Sequence, residues 1–280
     1  MSFQWLFDRP IAHRGLHNAE FPENSMPAYQ NAIDHNFNIE IDVHVTNDGE
    51  MVVFHDDNLK RVCGVNKVIK RCTLQELKSY PLLDKAGNPT EYRMPTLKEF
   101  LQLVDGKVGI LCEIKGLLPI DFSIVRETIK VLKEVDYKGN IALQSFNFGA
   151  VLYAKHHSHY PVGELCTWAS PIIKKLRRSI FTLFMGQCWI NLVTRPDFIA
   201  YDVTAVPPIN LWIKAHGYLR PVLMWTINSD KKIERAKKYA NNIIFENLDA
   251  DKVDALAGKF MPYHCPKCQL PENKKLNHLR

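Results

Sequence analysis

The sequence predicts a (β/α)8 barrel. Three observations carry this: eight short apolar runs, longer helical patterns between them, and polar residues gathered at the ends of the runs. Strands alternating with helices imply parallel pairing through right-handed crossovers. A doubly wound open sheet is the alternative, but no Gly-rich phosphate loop follows the first strand.

Pro10–His13 reads as a buried strand. Asn24 or Ser25 caps a helix whose Ala28, Ala32 and Ile33 face inward. Asn38–Val43 is the second strand. Met51–Phe54 is a further short strand after the Asn47-Asp48-Gly49 turn, outside the count of eight. From Asp57 to Gly106 the pattern is irregular, with short helices at Thr73–Ser79 and Thr96–Val104 and a turn over Lys85–Pro89. This stretch reads as a small insertion after the second strand.

The alternation then resumes. Val108–Ile114, Ile141–Ser145, Val162–Cys166, Phe198–Tyr201, Pro221–Trp225 and Asn242–Phe245 are strands. Phe122–Val135, Phe148–His156, Ile209–His216, Asp230–Tyr239 and Asp249–Leu256 are helices, and Gly217 ends the third of them. The barrel is expected over residues 1–262, with a polar, flexible tail over 263–280.

A chain of 280 residues suits one such barrel, and 46% apolar with 24% charged residues is ordinary for a globular protein. Net charge is +6, which favours anionic substrates or membrane surfaces but is too diffuse for nucleic acid. The seven cysteines are odd in number and scattered, and the first residues lack the pattern of a signal peptide. A reduced, cytosolic protein is expected, with most cysteines acting as buried hydrophobes. No window has the length and apolarity of a transmembrane helix.

In a (β/α)8 barrel, chemistry sits at the C-terminal strand ends. His13 and Arg14 end strand one. Glu40 and Asp42 lie two apart in strand two and so share a face; Glu113 and Lys115 end strand three with the same spacing. Gln144, Glu164 and Asp202 end strands four, five and six. Trp225 and Asn228 end strand seven, and Glu246 ends strand eight. Converging carboxylates repel one another and call for a cation. Glu40, Asp42 and Glu113 make an all-oxygen set that suits Mg2+, Ca2+ or Mn2+ better than zinc. The competing reading pairs Glu40 and Asp42 with Arg14 and Lys115 alone. His13 and His55 have the chemistry of a general acid and base, while Arg14 and Lys115 suit phosphate oxygens. Glu23 is either part of a helix N-terminus or a carboxylate that orients a histidine.

These residues stand in motifs: His13-Arg14-Gly15, Pro22-Glu23-Asn24-Ser25, Glu40-x-Asp42, Thr46-x-Asp48-Gly49-x-x-Val52-x-x-His55-Asp56, Glu113-Ile114-Lys115 and Trp225-Thr226-Ile227-Asn228. In that order and spacing the chain closely resembles the glycerophosphodiester phosphodiesterases, from His13 to about Asn247. The resemblance implies a (β/α)8 barrel with an insertion after strand two. It implies one divalent cation on Glu40, Asp42 and Glu113, His13 and His55 as the acid–base pair, Arg14 and Lys115 on phosphate, and Trp225 beside the glycerol. The implied reaction releases glycerol 3-phosphate and an alcohol. It begins with attack by the neighbouring glycerol hydroxyl, and water then opens a cyclic phosphate. The family often ends its last strand with Thr-Asp-x-Pro; here Phe245-Glu246-Asn247-Leu248 stands there, with Glu246 in the acidic place.

Two alternatives stay open. Trp168, Trp189 and the basic-aromatic segment are compatible with lysophospholipase D-type cleavage of a lysophospholipid. A non-catalytic module for phosphodiesters is the other, and both histidines and all three carboxylates argue against it. Residues 171–184 combine apolar residues at helical spacing with four cations, as in a helix that touches anionic lipid peripherally. His264-Cys265-Pro266-Lys267-Cys268 resembles half of a zinc site, without a second Cys-x-x-Cys. Oligomeric state leaves no mark in the sequence.

Overall fold

The computed structural model describes residues 3–116, 120–167, 190–204 and 220–263. Its strands are β1 Ile11–His13, β2 Asn38–Val45, β3 Met51–Val53, β4 Pro81–Leu83, β5 Pro89–Arg93, β6 Ile110–Ile114, β7 Ile141–Ser145, β8 Val162–Cys166, β9 Phe198–Asp202, β10 Val222–Ile227 and β11 Asn242–Phe245. Its first seven helices are α1 Trp5–Asp8, α2 Met26–Asp34, α3 Lys60–Cys63, α4 Leu74–Ser79, α5 Leu97–Val104, α6 Ser123–Glu134 and α7 Phe148–His157. Helices also span Asn191–Thr194, Asp230–Tyr239 and Ala250–Asp254. The expected helix at Ile209–His216, the segment 171–184 and the Cys265/Cys268 tail lie outside the described residues.

β1 pairs in parallel with both β2 and β11, so the sheet closes into a ring through β6, β7, β8, β9 and β10. This is the (β/α)8 barrel that the alternation predicts. β3 adds antiparallel to the end of β2.

Alternation along each strand divides the side chains between two cores. In β2, Ile39, Ile41 and Val43 join the large core between barrel and helices. Asn38, Glu40 and Asp42 alternate with them and face the interior. The interior holds its own apolar layer of Ile11, Leu111, Ala142, Leu165, Phe198, Ala200, Leu223 and Ile244. Two residues further along these strands stand His13, Glu113, Gln144, Asp202, Trp225 and Glu246. The barrel is therefore apolar below and polar at its C-terminal mouth.

Gly163 makes the apolar layer possible. A Cβ there would lie 2.1 Å from the Phe198 ring. Gly163→Ala is expected to destabilise the fold by about 1–3 kcal/mol, as overpacking does, read as a lower urea midpoint. An unchanged midpoint would mean that the Phe198 ring yields at no cost.

Helix α1 closes the other end, which the sequence does not reveal. Phe3, Leu6 and Phe7 join the interior layer. The Asn38 side chain donates to the Trp5 and Arg9 carbonyls, and that of Asn242 donates to those of Leu6 and Arg9. α2 starts at Ser25, whose Oγ accepts from the Ala28 amide.

The stretch after β3 has a small core of its own. Phe54, Leu59, Val62, Cys63, Cys72 and Leu77 belong to it, with Leu82 from β4 and Met94 just after β5. Sequence analysis marks the helix at Thr73–Ser79, which is α4, and the turn over Lys85–Pro89; β4 and β5, which it does not mark, form a hairpin around that turn. α5 stands apart from this unit. Its Leu97, Phe100, Leu101 and Val104 lie in the large outer core, so α5 is one of the helices around the barrel.

Candidate active site

β2 and β6 bring the three carboxylates together. Asp42 and Glu113 are register partners across the two strands, and Glu40 sits one strand repeat deeper. All three are buried, and one oxygen of each lies within 4.8 Å of the others. Lys115 reaches between them, with Nζ 2.8 Å from Asp42 Oδ1 and 2.6 Å from Glu113 Oε1.

Arg14 covers the cluster from β1. Its backbone amide donates to Glu40 Oε2 at 3.2 Å, its Nε lies 3.5 Å from Asp42 Oδ2, and its NH1 donates to Glu23 Oε1 at 2.8 Å. Asn24 donates to Asp42 Oδ2 at 3.2 Å and accepts from the Tyr29 hydroxyl at 2.9 Å. These positions need unusual backbone. Arg14 and Asn24 have φ of 57° and 52°, and Asn247 beside Glu246 also has 52°. Left-handed conformations cost non-glycine residues about 1–3 kcal/mol each and cluster where a site must be aimed. Gly15, at φ 82°, lets the turn close, since a Cβ there would stand 3.0 Å from the Ala28 backbone.

Each histidine has its own carboxylate. His13 Nδ1 lies 2.7 Å from Glu246 Oε2, and its Nε2 is 3.9 Å from Glu40. His55 Nδ1 lies 2.6 Å from Asp56 Oδ1. An Nδ1–H donated to a carboxylate leaves Nε2 as the working nitrogen. Burial lowers the His13 pKa below its ordinary 6.5, against the raising effect of Glu246.

The carboxylates divide the local charge. Burial pushes the Glu40 carboxyl up, and Asp42 and Glu113 add to it. Burial also acts against the Asp42 anion, but Lys115 and Arg14 outweigh it and hold Asp42 well below the usual range. The cluster is thus one cation short. Its all-oxygen donors and its charge deficit fit a divalent ion such as Mg2+, Ca2+ or Mn2+.

The mouth wall is aromatic at β10. Trp225 meets Phe146 edge-on, with ring centroids 5.6 Å apart, and the Trp225 Nε1 is buried with no hydrogen-bond partner. Gln144, the register partner of Glu113, has a buried Oε1 that is also unpartnered.

Three residues stand differently from the sequence reading. Glu164 lies between Gly163 and Leu165, so alternation turns it away from the mouth, where it accepts from the Thr194 hydroxyl. Glu23 holds Arg14 and Arg61, not a histidine; orienting His13 falls to Glu246. Asn228 is exposed on the rim and accepts from Lys232. Sequence reasoning places Asp56 in a motif without giving it a role, and passes over Arg61 and the Asn24 contact with Asp42.

A sequence profile of the Glycerophosphoryl diester phosphodiesterase family matches residues 13–249. The chain belongs to this family. It is 31% identical over 179 residues to a glycerophosphodiester phosphodiesterase of Caldanaerobacter subterraneus subsp. tengcongensis, covering 62% of this chain and 73% of that protein. It is 38% identical over 109 residues to a lysophospholipase D of Rattus norvegicus, covering 35% of this chain and 34% of that protein. A solved phosphodiesterase of Oleispira antarctica, in complex with the product sn-glycerol-3-phosphate, shares the fold. It superposes with a TM-score of 0.72 at 21% identity, covering 90% of this chain and 98% of that one. This family member is an enzyme of the phosphodiesterase class.

Glu23 carries a testable pH signature. Burial raises its pKa, but Arg61 and Arg14 outweigh this and hold the carboxyl at about 2, against an ordinary 4.5. A depressed carboxylate adds stability above its ordinary value, and that stability is lost as pH falls from about 4.5 toward about 2. Glu23→Gln is therefore expected to lower the urea midpoint at about pH 7, with a smaller gap to wild type at about pH 3. A gap that does not change with pH would refute the pairing.

Proposed function

We propose that the chain hydrolyses glycerophosphodiesters to glycerol 3-phosphate and an alcohol. The observation that carries this is the convergence, at one barrel mouth, of three buried carboxylates, two cations and two separately oriented histidines. The curated relative in Caldanaerobacter and the product-bound Oleispira structure support the substrate class.

Glu40, Asp42 and Glu113 would hold one divalent cation, Mg2+ or Ca2+ first and Mn2+ next. When bound, it supplies Lewis-acid chemistry that offsets phosphate charge and makes a nearby hydroxyl more acidic. Arg14 and Lys115 orient the phosphate and oppose the charge that builds on it. One histidine takes the proton of the neighbouring glycerol hydroxyl as its oxygen attacks phosphorus. The other gives a proton to the departing alcohol as its P–O bond breaks. Water then opens the cyclic phosphate, with the proton roles reversed. Trp225 walls the glycerol side. The Gln144 oxygen is an unfilled acceptor for a glycerol hydroxyl.

The test is release of glycerol 3-phosphate from glycerophosphocholine and glycerophosphoethanolamine with Mg2+, Ca2+ or EDTA. Release that depends on a metal is the expected result; no release with any metal would remove the proposal.

A second reading, cleavage of lysophospholipids, rests on Phe146. This ring is 41% exposed beside Trp225, where an acyl chain would find apolar surface. The lysophospholipase D of Rattus norvegicus supports it. Faster turnover of lysophosphatidylcholine than of glycerophosphocholine would favour it. Among the described residues no helix is long and apolar enough to cross a membrane. Cys63, Cys72, Cys112 and Cys166 are buried among hydrophobic residues, which supports the reading of a reducing, cytosolic setting.

A further inference from the structure

We infer that Arg61 is a positioning residue that fixes the acid–base histidine His55 and the phosphate-binding Arg14 at once. This rests on the roles given to His55 and Arg14 above.

Arg61 does not stand on the barrel. It belongs to α3, in the unit with its own small core. That helix is firmly seated. Val62 and Cys63, the next two residues, are buried in the small core, and Gly64 ends the helix at φ 75°. The Asn58 side chain accepts from the Lys60 amide at its start.

From there the guanidinium grips two carboxylates. Nε donates to Asp56 Oδ2 at 2.7 Å and NH2 to Asp56 Oδ1 at 3.1 Å. NH1 donates to Glu23 Oε2 at 2.6 Å and NH2 to Glu23 Oε1 at 2.7 Å. Each carboxylate is thus held at both oxygens, the geometry that fixes orientation as well as distance.

Both carboxylates pass that orientation on. Asp56 Oδ1 is the atom that accepts from His55 Nδ1, and Glu23 Oε1 is the atom that accepts from Arg14 NH1. The chain of contacts runs His55, Asp56, Arg61, Glu23, Arg14, Asp42. One cation, contributed from outside the barrel, therefore sets the ring of a histidine and the aim of an arginine on different barrel loops. Only a planar group with several fixed donors can do this. A lysine ammonium supplies a point charge and cannot grip both carboxylates at both oxygens. Arg61 itself is half-exposed and contributes nothing to the apolar layers, so its loss leaves the cores intact.

The experiment compares Arg61→Ala and Arg61→Lys with wild type on glycerophosphocholine, in Mg2+. Expected is a fall in kcat of about 10–100-fold for Arg61→Ala, with KM changed by less than about 3-fold, since displaced groups cost turnover before they cost binding. Arg61→Lys should recover only a small part. Added guanidinium at sub-denaturing concentration should raise the Arg61→Ala rate and leave Arg61→Lys unmoved. A kcat within about 3-fold of wild type, or a loss that guanidinium does not relieve, would overturn the inference.

A second measurement needs no turnover, and so separates this inference from the assigned reaction. Protein carrying 15N-imidazole histidine, with His55→Gln to identify the resonances, reports the His55 tautomer directly. The expected result is an Nδ1-protonated ring in wild type and mixed tautomers in Arg61→Ala. The same single tautomer in both would overturn the inference, whatever the enzyme hydrolyses.

Discussion

Asp42→Asn is expected to reduce kcat/KM by roughly 10³-fold or more and to remove most bound divalent cation. The substitution is nearly isosteric, and its amide can still meet Asn24. What changes is charge. Asp42 is fully buried, and Lys115 and Arg14 hold it ionised. It is the anion on which the cluster depends, because Glu40 is the carboxyl pushed up by burial and by its neighbours. Without Asp42, Lys115 and Arg14 face each other across a weakened donor set. Metal content after dialysis and turnover should fall together. Wild-type metal content with wild-type turnover would sink the assignment of the site.

His13→Ala and His55→Ala should each cost about 10²–10⁴ in kcat, the range for a lost general acid or base. The double variant should be little worse than the poorer single one, since the two act in one step. A diester with a p-nitrophenyl leaving group separates the roles. Such a leaving group needs little protonation, so the variant lacking the acid keeps more activity on it than the variant lacking the base. Equal and small losses in both variants, on both substrates, would mean that proton transfer is not what these rings do.

How far the sequence reaches can be judged residue by residue. Ile141–Leu143 is a short apolar run that leads into the polar Gln144 and Ser145, and β7 has the expected bounds Ile141–Ser145. Glu40 and Asp42 were legible because a spacing of two in a strand fixes a shared face. The same rule, applied to Glu164 between Gly163 and Leu165, turns it outward, whereas position at a strand end alone suggests the mouth. α1 escapes a periodicity argument because four residues make barely one turn. The β4–β5 hairpin escapes because its second strand is largely exposed and begins at a proline. The grip of Arg61 on Glu23 joins residues 38 apart, and no local pattern carries that. Glu246 is the intermediate case. A carboxylate in the acidic place of the last strand was visible, but its contact with His13, 233 residues away, belongs to the closed ring.

The plug formed by α1 has a consequence for how the protein is made. Phe3 and Phe7 rest on Tyr263, with ring centroids 5.9 and 4.9 Å away, and the Leu6 carbonyl waits for Asn242. This segment is therefore completed by residues 236 or more positions further along the chain. At about 5–20 residues per second, those partners arrive roughly 10–50 s later. Until then the segment lacks Asn242 and Tyr263, and the floor of the barrel is incomplete. A chain released short of Asn242 would keep most of its strands and still leave that segment open to chaperones, proteases or other chains.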